Sequence, residues 1–372
     1  LINWCPNDQT AFSDIRQGDT VTLDFPERTA ELKRRISEEI QANGPVSFAR
    51  FMKRALYEPG LGYYMSQRPV TSRRGDFLTA PETHPAFGAL LADGAREYAE
   101  DLNVPEFTVV EQGSGSGALA RSFVERWSQT AQRPLRYVMV DFHPPGMPAP
   151  AGVTIGTALS LDEVVPFEGL FLSNELPDAF PVHRVRRRGA AIVEVYVDLH
   201  DGDFIEIESV PSSPELEKWL GTAGIVLADG AEIEVNLQVE PWMRRIWELL
   251  VRGRVITIDY GFESDRVSRF PRGTLLAHYR HTTNEDYLQR VGEQDLTAHV
   301  CWTALEEIAR RVGFRIMERV TQREYLSRLG WKEWGMRLLR TPFVTEAELE
   351  SFDRLGSLAE GMGGNGVLVL DK

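Results

Sequence analysis

The 372-residue sequence predicts an α/β fold: a doubly wound, mostly parallel sheet with a helical N-terminal region and an inserted lobe of β-hairpin and helix. Three observations predict it. Phe107 to Glu111, Tyr137 to Asp141, Leu170 to Ser173 and Val255 to Asp259 are short apolar runs without polar alternation, as strands covered on both faces are. The first three are separated by helix or loop in the βαβ manner. Between the third and fourth, Ala191 to Leu199 and Phe204 to Val210 instead alternate apolar and polar residues around Asp201-Gly202, a hairpin signature.

Residues 1 to 28 are polar and turn-rich. Thr29 to Asn43 then sets Leu32, Ile36 and Ile40 at helical spacing and stops at Gly44-Pro45. Ser47 to Tyr57 predicts a second helix, closed by Glu58-Pro59-Gly60. A loop through Gly75-Asp76-Phe77 to Pro81-Glu82 leads to a helix over His84 to Leu102. Within the insertion, Arg186-Arg187-Arg188 reads as a solvated turn before the hairpin, Ser213-Pro214 starts a helix, and Pro241 to Val251 is another. Beyond the fourth run come a helix over Trp302 to Val312, a strand over Phe314 to Val320, capping boxes at Thr321-x-x-Glu324 and Thr345-x-x-Glu348, and a last strand over Val367 to Leu370. The chain divides into an N-terminal extension with a lid loop (1–85), a cofactor-binding core (86–180), a substrate lobe (181–253) and the remainder of the sheet with C-terminal helices (254–372).

The first apolar run breaks at once into Gly113, Gly115 and Gly117, which let the backbone turn sharply and approach a ligand closely. The spacing is Glu-x-Gly-x-Gly-x-Gly, not the Gly-x-Gly-x-x-Gly of dinucleotide binders, and favours S-adenosylmethionine over NAD. In an open parallel sheet ligands bind beyond the carboxyl ends of the strands, and all four runs end there in polar residues. Asp141, with Phe142 beside it, is set to accept hydrogen bonds from ribose hydroxyls, and Glu111 to meet the cofactor's ammonium. Asp76 or Glu82 is a candidate for the methionyl end, and Phe77, after Gly75, for a lid that excludes water. Asn174, Glu175 and Asp178 follow the third strand and face the reacting centre. Paired carboxylates there suit a guanidinium acceptor. His281 and His299 are candidate general bases.

Composition narrows the function classes. A net charge of −14 argues against bulk nucleic-acid binding. Two cysteines, Cys5 and Cys301, form neither a disulfide framework nor a zinc motif, and no histidine pair has metal-ligand spacing. No apolar run is long enough to span a membrane. The cytoplasm is the expected compartment, with a mitochondrial matrix as the alternative if an upstream presequence has been removed.

Taken together, Gly44-Pro45, Gly62-Tyr63-Tyr64, Gly75-Asp76-Phe77-x-Thr79-x-Pro81-Glu82, Phe87-Gly88, the glycine loop, Asn174-Glu175-x-x-Asp178-Ala179-x-Pro181-Val182, Asp259-Tyr260-Gly261 and Asp295-Leu296-Thr297-Ala298-His299-Val300 resemble the MidA family of class I S-adenosylmethionine-dependent methyltransferases. The resemblance implies a Rossmann-like core, S-adenosylmethionine as donor and a protein side chain, arginine, as acceptor. For the mitochondrial branch it also implies a respiratory-complex subunit as partner; the oligomeric state stays open, with a homodimer allowed. Small-molecule O- or N-methylation, or a catalytically weak assembly protein keeping the fold, are the alternatives. The chain departs from the family pattern at Gln112, Ser114 and Ser116 between the glycines. Pro144 to Pro150 is a proline-dense stretch where a helix is expected, and Cys301-Trp302 stands in place of Asp-Phe.

Overall fold

The computed structural model describes residues 25–66, 79–357 and 362–372, so the expected lid residues Gly75, Asp76 and Phe77 lie outside the described residues. Seven strands build the main sheet: β1 (Phe107–Gln112), β2 (Leu135–Val140), β3 (Val153–Ala158), β4 (Phe167–Asn174), β5 (Leu250–Asp259), β6 (Arg315–Thr321) and β7 (Gly366–Asp371). Their order is β6-β7-β5-β4-β1-β2-β3. Only β7 runs against its neighbours β5 and β6. The chain steps outward from β1 to β3, then returns to lay β4 on the other side of β1. That reversal opens a cleft between the carboxyl ends of β1 and β4. This is the Rossmann-like core that the apolar runs predict.

Strand alternation feeds two cores. Phe107, Val109, Tyr137, Met139, Leu170 and Leu172 face the helices Ala86–Leu102 and Ala118–Thr130. On the opposite face, Val110, Val138, Phe171 and Val255 pack against Trp242, Met243 and Ile246 of the helix Val239–Leu249 and against the helix Trp302–Val312. A third core joins the N-terminal helices Phe25–Asn43 and Phe48–Tyr57 to Val197, Phe204 and Leu296. It is sealed by a short antiparallel pairing in which Val46 and Ser47 lie opposite Val197 and Tyr196.

The inserted hairpin forms over Ala191–His200 and Asp203–Ser209, and its turn residues Asp201 and Gly202 both have positive φ, 51° and 84°. Arg186-Arg187-Arg188 is not a turn. It belongs to a strand, His183–Arg188, on which Arg184, Arg186 and Arg188 alternate onto one face and pair with Glu206, Glu208 and Glu232 of neighbouring strands. Matched acids neutralise what the bare sequence shows as a charge run. β3 is also an addition: Gly156 and its threonines give it little apolar signal, and it survives as an edge strand. The Thr321 capping box closes fully, whereas at Thr345 the bond from Glu348 N to the threonine hydroxyl forms.

Candidate active site

Beyond β1 the chain turns through Gly113, Gly115 and Gly117 with φ of 79°, 50° and 73°, left-handed values that strain any residue with a Cβ. Gly113 N donates to Val140 O at 2.9 Å, and Gly115 N donates to Asp141 Oδ2 at 2.8 Å. The other oxygen, Asp141 Oδ1, accepts from His143 N at 3.2 Å. One carboxylate therefore fastens the turn after β1 to the turn after β2. Burial raises the Asp141 pKa, and the backbone donors oppose that rise.

The proline-dense stretch forms no regular element, and it packs against the glycine loop as a wall. A Cβ built on Gly117 would lie 2.7 Å from Pro145 Cγ, whereas one on Gly115 would point into open space. Gln112, on the second face of β1, accepts from Trp242 Nε1 at 2.9 Å, which ties the loop's base to the lobe helix. On the first face Glu111 is buried and accepts from the Tyr137 hydroxyl at 2.7 Å. Burial pushes Glu111 up to about 8, against the pull of that hydrogen bond.

These residues fit S-adenosylmethionine. The loop is open at Gly115, the buried hydroxyl of Ser114 has no hydrogen-bond partner among the described residues, and acids stand at each strand end. Glu82 joins the same cradle, because Ser116 Oγ donates to its Oε1 at 2.7 Å.

Across the cleft, β4 ends at Asn174 and the next residue, Glu175, adopts φ 49°. Such a backbone on a non-glycine residue is held in place by its surroundings. Here Glu175 N donates to Ile258 O at 2.8 Å, while Glu175 Oε1 accepts from Asn174 Nδ2 at 3.1 Å and from Ala80 N at 3.2 Å. Burial pushes Glu175 up to about 7. With its amide nitrogen committed to Glu175, Asn174 keeps a buried Oδ1 that has no partner among the described residues.

Asp178 N donates to Asp259 Oδ2 at 3.1 Å and Tyr260 N to Asp259 Oδ1 at 2.7 Å, so Asp259 at the end of β5 anchors the loop that carries Asp178. Asp178, Asp259 and Asp295 are 7%, 0% and 1% exposed. Burial raises Asp178 and Asp259 well above the usual carboxylate range; Asp259, Asp295 and Glu175 add to the rise at Asp178. No Arg or Lys among the described residues pairs with Glu175, Asp178 or Asp259.

Two tyrosines complete this wall, and sequence reasoning passed over them as site residues. Tyr57 donates its hydroxyl to Ala179 O at 2.8 Å, and Tyr64 donates to both oxygens of Asp295 at 2.8 Å. Their rings stack at 5.6 Å, and Tyr57 also meets Phe142 at 5.7 Å. Tyr64 sits inside the Gly62-Tyr63-Tyr64 motif and Asp295 opens another motif, so both had a signal. Tyr57 had none beyond closing an amphipathic helix.

His281 is not brought to the cleft. It occupies the exposed turn between the short strands Leu276–Tyr279 and Thr282–Asn284, with φ 63°. Its tightly turned backbone at a hairpin tip directs it to solvent. His299 is the histidine on the inner side: its ring stacks on Tyr260 at 6.4 Å, and burial, with His278 adding, lowers its pKa.

The comparisons agree with this geometry. Residues 90–319 match the model of a family described as Putative S-adenosyl-L-methionine-dependent methyltransferase. Among curated proteins, the chain is 25% identical to the mitochondrial protein arginine methyltransferase NDUFAF7 homolog of Caenorhabditis elegans, covering 85% of this chain and 80% of that one. It is likewise 25% identical to the human mitochondrial protein arginine methyltransferase NDUFAF7, covering 74% and 68%. A solved structure from Burkholderia thailandensis with S-adenosylhomocysteine bound superposes with a TM-score of 0.80 at 26% identity, covering 93% of this chain and 92% of that one.

The expectation of a cytoplasmic location is corrected here, since these curated relatives are mitochondrial proteins. The donor is S-adenosylmethionine and the activity is methyl transfer. On a family model spanning more than half its length, the chain belongs to the S-adenosylmethionine-dependent methyltransferase family that also holds the MidA and NDUFAF7-like proteins.

Proposed function

We propose that the enzyme methylates a protein side chain, the guanidinium of arginine, with Glu175 and Asp178 orienting the acceptor. The observation that carries this reading is that the buried carboxylates of Glu175, Asp178 and Asp259 have no cationic partner among the described residues, next to the open acceptor oxygen of Asn174. A guanidinium offers five N–H donors and a charge in one flat group, and satisfies both deficits at once. The names of the curated relatives as protein arginine methyltransferases support the same acceptor.

On the donor side we assign Gly113, Gly115, Gly117, Asp141 and Phe142 to the nucleoside and Glu82 and Glu111 to the methionyl end, with Gly75, Asp76 and Phe77 as partners from the lid loop. Bound S-adenosylmethionine supplies an electrophilic methyl, which passes to an acceptor nitrogen as the sulfur keeps the bonding pair. The protein's own work is alignment, desolvation and removal of the proton that the methylated nitrogen gives up. Glu175, pushed up to about 7 by burial, is matched to take that proton near neutral pH and return it to solvent.

Small-molecule N- or O-methylation is the second reading. The burial of Asp178, Asp259 and Asp295 favours it, since a pocket closed this far admits a compact acceptor readily. The two part in one experiment: purified enzyme, S-adenosylmethionine labelled in its methyl group, and host lysate, with Glu175→Ala as control. Label in protein-sized material that acid hydrolysis returns as methylarginine supports the first reading, and a respiratory-complex subunit is one acceptor to look for there. Label confined to low-mass metabolites overturns it.

A further inference from the structure

We infer that the short helix Ala80–Thr83 couples the donor loop to the acceptor pocket and that Ser116 is its positioning residue: the Ser116 hydroxyl holds Glu82 and, through that helix, sets the Ala80 amide on Glu175. The inference rests on the reading of Glu175 as an acceptor-side carboxylate and deepens it.

The helix has four residues and touches both halves of the site. At one end Ser116 Oγ, between Gly115 and Gly117 in the donor loop, donates to Glu82 Oε1 at 2.7 Å. At the other, Ala80 N donates to Glu175 Oε1 at 3.2 Å, the same oxygen that accepts from Asn174 Nδ2 at 3.1 Å. One turn of backbone separates the two contacts. Ser116 is among the positions at which the glycine loop departs from the family pattern, so this link is not one that the resemblance supplies.

A single turn has little stability of its own, because its few hydrogen bonds do not repay the dihedrals they fix. Thr79 O accepts from Glu82 N, Thr83 N and the Thr83 hydroxyl at 3.0 to 3.1 Å, Pro81 presets the backbone, and the Thr79 side chain makes no capping bond. The turn is therefore one stiff piece, and what holds either end steadies the other. Ala80 is fully buried, whereas Ser116 and its bond to Glu82 are exposed. The exposed end is the one that a ligand on the donor loop covers. A hydrogen bond withdrawn from water strengthens, so donor binding tightens Ser116 on Glu82 and, through the turn, Ala80 on Glu175.

Charge runs the same way. Burial raises the Glu175 pKa most; the Ala80 amide and then Asn174 pull it down, and the Glu82 charge, the smallest of these influences, adds to the rise. A cationic methionyl end beside Glu82 offsets that charge, and a firmer Ala80 bond acts with it to favour the Glu175 carboxylate. Asp178, Asp259 and Tyr260 also face Glu175, and they are the same in native enzyme and variant.

The test is hydrogen exchange of the segment 79–84, read by mass spectrometry with and without saturating S-adenosylhomocysteine. In the native enzyme the ligand is expected to slow exchange there by about fivefold. Ser116→Ala removes the hydroxyl and should cut that gain to less than about twofold at full occupancy, checked by calorimetry, whereas Ser116→Thr keeps a hydroxyl and should restore it. A second readout uses turnover of whichever acceptor the lysate labels: in Ser116→Ala the pH midpoint of the rate should rise by about half a unit, because the Glu175 carboxylate loses a donor. The inference is overturned by native exchange that ignores the ligand, by an alanine variant protected as well as the native enzyme, by a threonine variant that is not restored, or by an unmoved midpoint. The arginine reading fails separately: the exchange measurement contains no acceptor, so label on a residue other than arginine sinks that reading and leaves the coupling standing.

Discussion

Pro145 lies against Gly117 so closely that a methyl group on the glycine would sit 2.7 Å from the proline ring. Gly117 also carries φ 73°, so Gly117→Ala meets both a clash and a strained backbone. The expected outcome is S-adenosylhomocysteine binding weakened by about tenfold or more in calorimetry, with the far-ultraviolet circular dichroism unchanged. Native affinity in this variant would show that the proline wall yields freely.

Asp141 accepts a backbone hydrogen from each of the two loops that flank the donor cradle. Asp141→Asn keeps the shape but presents one acceptor and one NH2 group, so one of the two backbone donors loses its partner. We expect about tenfold weaker S-adenosylhomocysteine binding, a cost of about 1.4 kcal/mol, measured by calorimetry.

Glu175→Gln should lower the turnover of labelled methyl by about 100-fold while leaving S-adenosylhomocysteine affinity within about threefold, as expected for loss of a positioned proton acceptor. In the native enzyme the active form is the carboxylate, so the rate should rise with pH and level off above about 7. A flat profile between about pH 6 and 8, roughly one unit either side of that value, would remove Glu175 from proton transfer.

Glu111 and Glu175 also set the sign of the stability profile. Both have a pKa raised by burial, to about 8 and about 7, from an ordinary value of 4.5. Below about 4.5 each is protonated whether folded or not and contributes nothing to the pH dependence. Between that value and its folded pKa, the unfolded chain ionises while the folded one stays neutral, so stability falls as pH rises. The cofactor-free enzyme should melt lower at pH 8 than at pH 5.5 by this effect, and Glu111→Gln should reduce the difference. An unchanged slope in that variant would show that Glu111 ionises freely in the fold.

Much of the framework was legible because buried parallel strands advertise themselves: the apolar runs at 107, 137, 170 and 255 each became a core strand. β3 stayed hidden because an edge strand needs only one covered flank and tolerates Gly156. The arginine run misled for a related reason. Charge reads as solvent exposure until the opposing acids are known, and Glu206, Glu208 and Glu232 lie 20 to 48 residues away from their partners. At the site, the strand-end acids were visible from topology alone. Tyr57 was not, since its meeting with Tyr64 and Phe142 depends on how an N-terminal helix docks on the lobe. His281 and His299 are alike as letters, and only the turn geometry assigns one to solvent and the other to the interior.

The pairing of Tyr64 with Asp295 spans 231 residues. During synthesis from the N-terminus, the donor loops through residue 145 emerge before β4 and Trp242, which complete their side of the cleft, and the acceptor wall has no second half until Asp295 follows. Closing so long a loop is entropically late in folding. Neither side of the site is therefore whole until segments far apart in the chain have met, and methyl transfer is a property of the completed molecule alone.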